Sequence, residues 1–383
     1  MTEIETYLNS LSDDILILNI SCKGIESLPN LTRFKNLQVL DCYNNQLTSL
    51  PTLPQNLETL YCYNNQLTSL TLPQNLQHLY CGNNQLTSLS NLPQNLETLN
   101  CSNNKLTSLT LQNLEKLYCF NNQLTSLNLP QNLKILHCSN NQLTFLSNLP
   151  QNLETLNCSN NQLTSLTLPQ NLKTLHCYNN QLTSLNLPNL QILHCSNNQL
   201  TSLTLPQNIE TLHCSYNQLT FLTLPQNLEI LYCDNNQLTS LTLPNLKELH
   251  CYNNKLTSLT LQNLEKLYCF NNQLTSLNLP QNLKILHCSN NQLTFLTLPQ
   301  NLEKLNCSHN PIYEIVNGIR IQQNIQILNN FRYLYYCLKF KNQLRKWLWE
   351  KVREPKIKMT YHPKYLINLK EEDDLDTFLD NWK

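Results

Sequence analysis

The residues best equipped for chemistry in this sequence are its cysteines and histidines. Seventeen cysteines and nine histidines occur in 383 residues. Fifteen of the cysteines, Cys42 through Cys307, follow one another at intervals of 18 to 20 residues. Six histidines (His137, His176, His194, His213, His250 and His287) stand immediately before one of them. Thiolate and imidazole together suggest zinc. Adjacent residues on a strand face opposite ways, however, so a Cys–His pair inside one unit cannot share an ion. The motif CxxC does not occur. His176, His194 and His213, on consecutive units, are read as an outward-facing column, and neither metal nor cofactor is expected. The regular spacing is that of a repeat rather than of a disulfide framework, so reduced, buried, inert thiols are expected. Cys337, outside the series, reads as a helix thiol rather than a nucleophile. Glu97 and Glu115 share one variable slot with Lys134 and Lys173, which marks a solvated face and not an acid–base pair. With three glycines in the chain, neither GxGxxG nor a P-loop is present. The sequence carries no catalytic constellation, and a non-enzymatic role is expected.

The cysteine series exposes the element that positions everything else. Residues 57–70 read LETLYCYNNQLTSL and residues 133–146 read LKILHCSNNQLTFL. The central LxC has period two, which predicts a short strand with Leu and Cys inward and its flanking residues outward. An asparagine follows each cysteine by three residues: Asn45, Asn65, Asn84, Asn104, Asn122, Asn141, Asn161, Asn180, Asn198, Asn217, Asn236, Asn254, Asn272, Asn291 and Asn310. A primary amide offers two donors and an acceptor, enough to satisfy its own turn and the neighbouring coil, so these residues are expected to form a structural ladder. The LTSLxLPQN segment closes each unit. Its proline fixes φ and cannot donate, which predicts an extended or turn-like return rather than a helix. One unit cannot bury its apolar face, but a stack can. With a divergent first unit at residues 15–28, about sixteen units of 18–22 residues fill residues 15–316.

These residues resemble the leucine-rich repeat, LxxLxLxxNxL, with cysteine in the third apolar slot. The LPQN link is similar to the short LPX-type repeats of bacterial effectors. The whole chain, rich in Asn and Leu and lacking Ala, also resembles arrays encoded by giant, mimivirus-like DNA viruses of amoebae. The resemblance implies an α/β solenoid: a leucine-rich-repeat horseshoe with a parallel concave sheet, an extended or turn-like convex side, and helical caps at both ends. Residues 1–14 are expected to be the N-terminal cap, with an amphipathic helix over 2–12.

On such a sheet the residue before each cysteine and the residue after it form two outward columns, rich in rings. The candidate partner-binding residues are Tyr43, Tyr61, Tyr63, Tyr80, Tyr118, Phe120, His137, His176, Tyr178, His194, His213, Tyr232, His250, Tyr252, Tyr268, Phe270 and His287. Aromatic and small polar residues suit recognition surfaces, so a protein partner on the concave face is expected, from a host if the chain is viral. The histidines predict binding that changes between pH 5 and 7. Lys+Arg and Asp+Glu are 25 each, a balance that does not suit nucleic acid. No apolar run reaches the roughly 18 residues of a membrane span. The start, MTEIETYLNSLSDD, is neither a secretory signal nor a transit peptide, which places the expectation in a cytoplasm, the host's, or in the virion.

Residues 317–383 have a different composition. Thirteen of the 25 basic residues and all three tryptophans lie beyond residue 310. A basic-aromatic helical segment followed by an acidic tail is expected there, serving as a cap or as a docking segment. In the second case the protein would be an adaptor that recruits host machinery, such as the ubiquitin pathway, to the array's ligand. Residues 103–146 and 253–296 are identical, so the array grew by recent duplication of several units. Oligomeric state is left open by the sequence.

Overall fold

A computed structural model describes residues 3–243 and 246–312, together with Lys346. The expected C-terminal cap or docking segment, and Cys337 within it, therefore lie outside the described residues. The chain divides into two compact units, Met1–Thr294 with Pro299–Glu314, and Phe295–Leu298 with Ile315–Lys383. All sixteen strands belong to the first unit.

Each strand is three residues long, from β1 (Ile17–Asn19) to β16 (Lys304–Asn306). They form one parallel sheet in strict sequence order. The register never slips: Leu40 pairs with Leu60, and Leu60 with Leu79. The central leucine of nearly every strand is fully buried and its neighbours are half-buried. This is the alternation that LxC predicts. Leu57, Leu60, Cys62 and Leu67 fill the interior of one coil with no exposed surface. The backbone ladder continues past the strand, as Cys62 N–H donates to the Tyr80 carbonyl at 2.9 Å.

The return side is extended and turn-like, as the prolines require. In the LPQN link the leucine N–H closes on the proline carbonyl, Leu57 to Pro54 and Leu133 to Pro130, both at 3.3 Å. The N-terminal helix is shorter than expected. It spans Glu3–Asn9 and buries only Leu8. Asn9 and Ser10 end it, both residues that prefer caps to helix interiors, and the Ser10 hydroxyl donates to the Tyr7 carbonyl at 2.7 Å. The Arg33 guanidinium donates to the Leu8 carbonyl, which ties the helix end to the array.

The asparagine three residues after each repeat cysteine joins neighbouring coils. Asn198 accepts from Leu182 N–H at 3.0 Å and donates to the carbonyls of Cys177, Cys195 and Ser196 at 3.1, 3.0 and 3.3 Å. One amide thus ties two coils. The preceding residue carries a second task that the sequence reading did not assign. From Asn44 to His309 it has φ between 52° and 55° in every coil. Asn tolerates this left-handed conformation better than other non-glycine residues. Tyr216, at φ 53° and 55% exposed, takes it without that advantage. Tyr216→Asn is therefore expected to raise stability by about 0.5–1 kcal/mol, measured as a higher urea midpoint at unchanged slope.

Candidate functional site

The sheet places the two ring-bearing columns side by side on its outer face. Each strand ends on the residue before the repeat cysteine, and the in-register pairing sets successive rings against each other. Seven rings on seven consecutive coils make one ladder. His176–His194, His194–His213 and His213–Tyr232 have centroids 4.3, 4.0 and 4.2 Å apart. Tyr232–His250, His250–Tyr268 and Tyr268–His287 follow at 4.0, 4.2 and 4.9 Å. Tyr61 stacks on Tyr80 at 4.8 Å, and Tyr118 meets His137 edge-on at 5.0 Å. In the second column Tyr43 stacks on Tyr63 at 4.6 Å and Tyr252 on Phe270 at 4.2 Å.

Stacking decides what this surface can offer. Most ring faces are turned to one another, so the ladder presents edges, with imidazole nitrogens and phenol hydroxyls. Each ring pair contributes about 0.5–1.5 kcal/mol beyond area burial, so the side chains are held before a partner arrives and lose little freedom on binding. Phe120 and Tyr178 differ. Their column neighbours are Ser102 and Ser139, and Ser159 and Ser196, so among the described residues no ring of the column stacks on them. Five of the serines of this column lie below the surface, while Ser196 and Ser308 are half-buried. Ser102, Ser139, Ser159, Ser215 and Ser289 are buried.

The same packing changes the histidine chemistry. The rings are half-buried rather than freely exposed. Burial pushes His137, His176, His213 and His287 below the ordinary imidazole value. Burial, with His213 and His176 on either side, takes His194 to about 4. The window of pH 5 to 7 expected from sequence therefore moves downward. The cysteines behind them are inert for the opposite reason, since burial lifts Cys101 and Cys195 to about 12. His194 stacks on His213 and meets His176 edge-on, and among the described residues no three His, Cys, Asp or Glu side chains gather around a common point.

Sequence reasoning missed one polar node. Glu248 in β13 (Glu248–His250) accepts from the Tyr232 hydroxyl at 2.9 Å, contacts His250 Nε2 at 2.9 Å and pairs with Lys266 Nζ at 2.9 Å. Burial opposes its ionisation, but hydrogen bonds from Lys266, His250 and Tyr232 hold its carboxyl down at about 2. One coil back, the buried Asp234 accepts from the Ser215 hydroxyl at 2.6 Å and from Asn235 Nδ2 at 2.8 Å. The available signal was positional: Glu248 and Asp234 are acids in slots otherwise filled by neutral or basic residues. Along the sheet margin, Glu115–Lys134, Glu154–Lys173 and Glu229–Lys247 are exposed ion pairs at 2.9, 2.7 and 2.7 Å. Each contributes at most about 1 kcal/mol.

The comparisons with known proteins agree with this architecture. A family model described as leucine-rich repeats in two copies matches residues 55–94 and 170–207. The single leucine-rich repeat model matches residues 36–57, 95–116 and 152–170. Among solved structures, YopM, a leucine-rich effector protein from Yersinia pestis, is 37% identical with a TM-score of 0.67, over 76% of this chain and 88% of that one. A leucine-rich repeat protein of Leptospira interrogans is 33% identical with a TM-score of 0.65, over 81% and 93%. The functional domain of InlJ from Listeria monocytogenes, which includes a cysteine ladder, is 30% identical with a TM-score of 0.70, over 74% and 69%. No match is found among curated protein sequences.

Proposed function

The chain belongs to the leucine-rich repeat family, and from that premise we propose that it is a non-enzymatic scaffold that binds a protein partner on the outer, ring-bearing face of its sheet. The observation that carries this reading is the ring ladder. Seven consecutive coils hold imidazoles and phenols ring against ring in one register, some stacked and some edge-on or tilted, while the Leu and Cys framework behind them stays fixed. A surface whose variable positions are preorganised aromatics has the composition of interface hot spots. The resemblance to arrays of amoebal viruses supports a host protein as the partner, met in the host cytoplasm or carried with the particle.

Phe120 and Tyr178, on which no ring of the column stacks among the described residues, are the anchors. Full-length protein immobilised in host lysate is expected to retain a partner that Phe120→Ala and Tyr178→Ala each release, with a loss of at least tenfold in affinity once the partner is purified. Phe221, 60% exposed and away from the sheet, is the control. If Phe221→Ala releases the partner and the two anchor variants keep it, the face is wrongly assigned. The adaptor reading draws on composition alone, the concentration of tryptophan and basic residues beyond residue 310. It predicts a second partner whose capture is indifferent to Phe120 and Tyr178.

A further inference from the structure

The duplicated sequence has a consequence for binding. Residues 103–146 and 253–296 are identical, and every strand pairs in register with the next. Identity of sequence therefore repeats the same side chains at the same register positions, although Phe270 stacks on Tyr252 and Tyr268 on His250, where the first copy has Ser102 and Asn100. Lys116, Tyr118 and Phe120 on one coil return as Lys266, Tyr268 and Phe270. The internal spacings return with them, with the Tyr–His ring planes at 76° in the first copy and 54° in the second. Tyr118–His137 and Tyr268–His287 have centroids 5.0 and 4.9 Å apart. Glu115–Lys134 and Glu265–Lys284 pair at 2.9 and 2.7 Å.

Charge singles out the same two patches. The first copy holds Lys105, Lys116 and Lys134 against Glu115, and the second Lys255, Lys266 and Lys284 against Glu265. Each copy is basic on a chain with no net charge. The stretch between them is acidic, with Glu154, Glu210, Glu229, Asp234 and Glu248 against Lys173 and Lys247. The face thus reads basic, acidic, basic along the solenoid. The strands Lys116–Tyr118 and Lys266–Tyr268 are the sixth and fourteenth of the sheet. At about 4.8 Å per step they lie about 38 Å apart along it. All strands run parallel, so both patches point the same way along the chain. A two-fold-symmetric partner would present its epitopes in opposite senses. A tandem repeat presents them in the same sense.

We infer that this face holds two equivalent docking sites, and that its occupant is a tandem-repeat protein segment presenting one acidic, aromatic-bearing epitope twice, about 38 Å apart. The inference rests on the assignment of the sheet's outer face as the recognition surface. The two sites are equal in sequence but not in surroundings. Lys266 is held by Glu248 at 2.9 Å, whereas the matching neighbour of Lys116 is Thr98. The second site is the weaker one, and Glu248→Thr strengthens it.

The test uses the full-length chain and two fluorescein-labelled probes. One is the peptide Glu-Glu-Tyr-Glu-Glu. The other carries it twice, joined by a flexible Gly-Ser linker of about 48 residues, whose mean span is about 38 Å. Titration is expected to give two single peptides per chain, and one tandem peptide per chain bound roughly 100-fold tighter. Lys116→Glu or Lys266→Glu should each remove one site and the tandem gain. Lys116 faces solvent, whereas Lys266 is half-buried against Glu248, so Lys266→Glu is made together with Glu248→Thr, and circular dichroism should then be unchanged for both reversals. No binding, one peptide per chain, or a tandem gain that survives either reversal overturns the inference. One peptide per chain lost with Lys116→Glu refutes the doubling and leaves the recognition face standing. Two per chain, indifferent to both reversals, contradicts both.

Discussion

Asn198→Ala is expected to cost about 3–5 kcal/mol and to split the unfolding of the array. The amide is the partner of Leu182 N–H and of the Cys177 and Cys195 carbonyls, all in the buried wall between two coils. Alanine satisfies none of them, and each orphaned buried group costs roughly 1–3 kcal/mol. Water reaching the cavity recovers part of that, which sets the lower end of the range. Because a solenoid is held by nearest-neighbour interfaces, the lesion weakens the junction between the coils of Cys177 and Cys195 more than any distant one. A urea melt followed by circular dichroism should pass from one transition to two, with a lower first slope. Asn198→Asp is the sharper variant. It keeps an acceptor for Leu182 but turns an anionic oxygen toward three carbonyls. Its folded pKa must lie above the unfolded value near 3.9, so the excess damage over alanine is absent at low pH and grows as pH rises through the folded pKa. A single unchanged transition for both variants would remove the ladder from the account of stability.

The fold was legible because each of its rules is local. LxC announces a strand by period, the asparagine announces a buried amide by its fixed offset, and proline announces a return that cannot be helical. What escaped depends on relations between coils. The sequence shows His176, His194 and His213 in one column, but only a strand step of about 4.8 Å brings three side chains ring against ring. Once stacked, the rings bury each other, and a column read as freely solvated becomes half-buried. Five serines of the second column, Ser102, Ser139, Ser159, Ser215 and Ser289, are likewise buried rather than solvated. Asn44 and its equivalents were invisible as left-handed residues because the adjacent buried asparagine already explained the pair. Tyr216 and His309 were the clue, as neither is an amide, yet both take the turn.

Acid should therefore act on this protein through its stability before it acts on partner contacts. His137, His176, His194, His213 and His287 are all held below the ordinary imidazole value, chiefly by burial. The groups facing them set the local balance. His194 lies between two other histidines and is lowest, at about 4. His213 is opposed by Asp234 and Glu248, and His287 is lowered further by Lys304. A histidine with a depressed folded pKa binds its proton first in the unfolded chain. Stability is thus flat above about pH 6.5, the unfolded value, and falls as pH drops toward the folded pKa. Solvent screening of a half-buried ring limits the His194 contribution to roughly 1–2 kcal/mol, and the other four act in the same direction. Glu248 adds a separate window. Its carboxyl, held at about 2, contributes stability above its unfolded value near 4.3 that is lost as pH falls below it. The urea midpoint should stay level from pH 8 to 7, fall from about 6.5 to 4, and fall again below 4. In the first window His194→Asn, which installs a residue the column already uses at Asn157, should flatten the slope. Proton NMR of the imidazoles should place the His194 midpoint well below that of a free histidine. A midpoint near 6.5 would mean that the ring is solvated and the ladder open. Partner affinity should then change between pH 5 and 7, as the sequence alone suggested, whereas a closed ladder moves that change to lower pH.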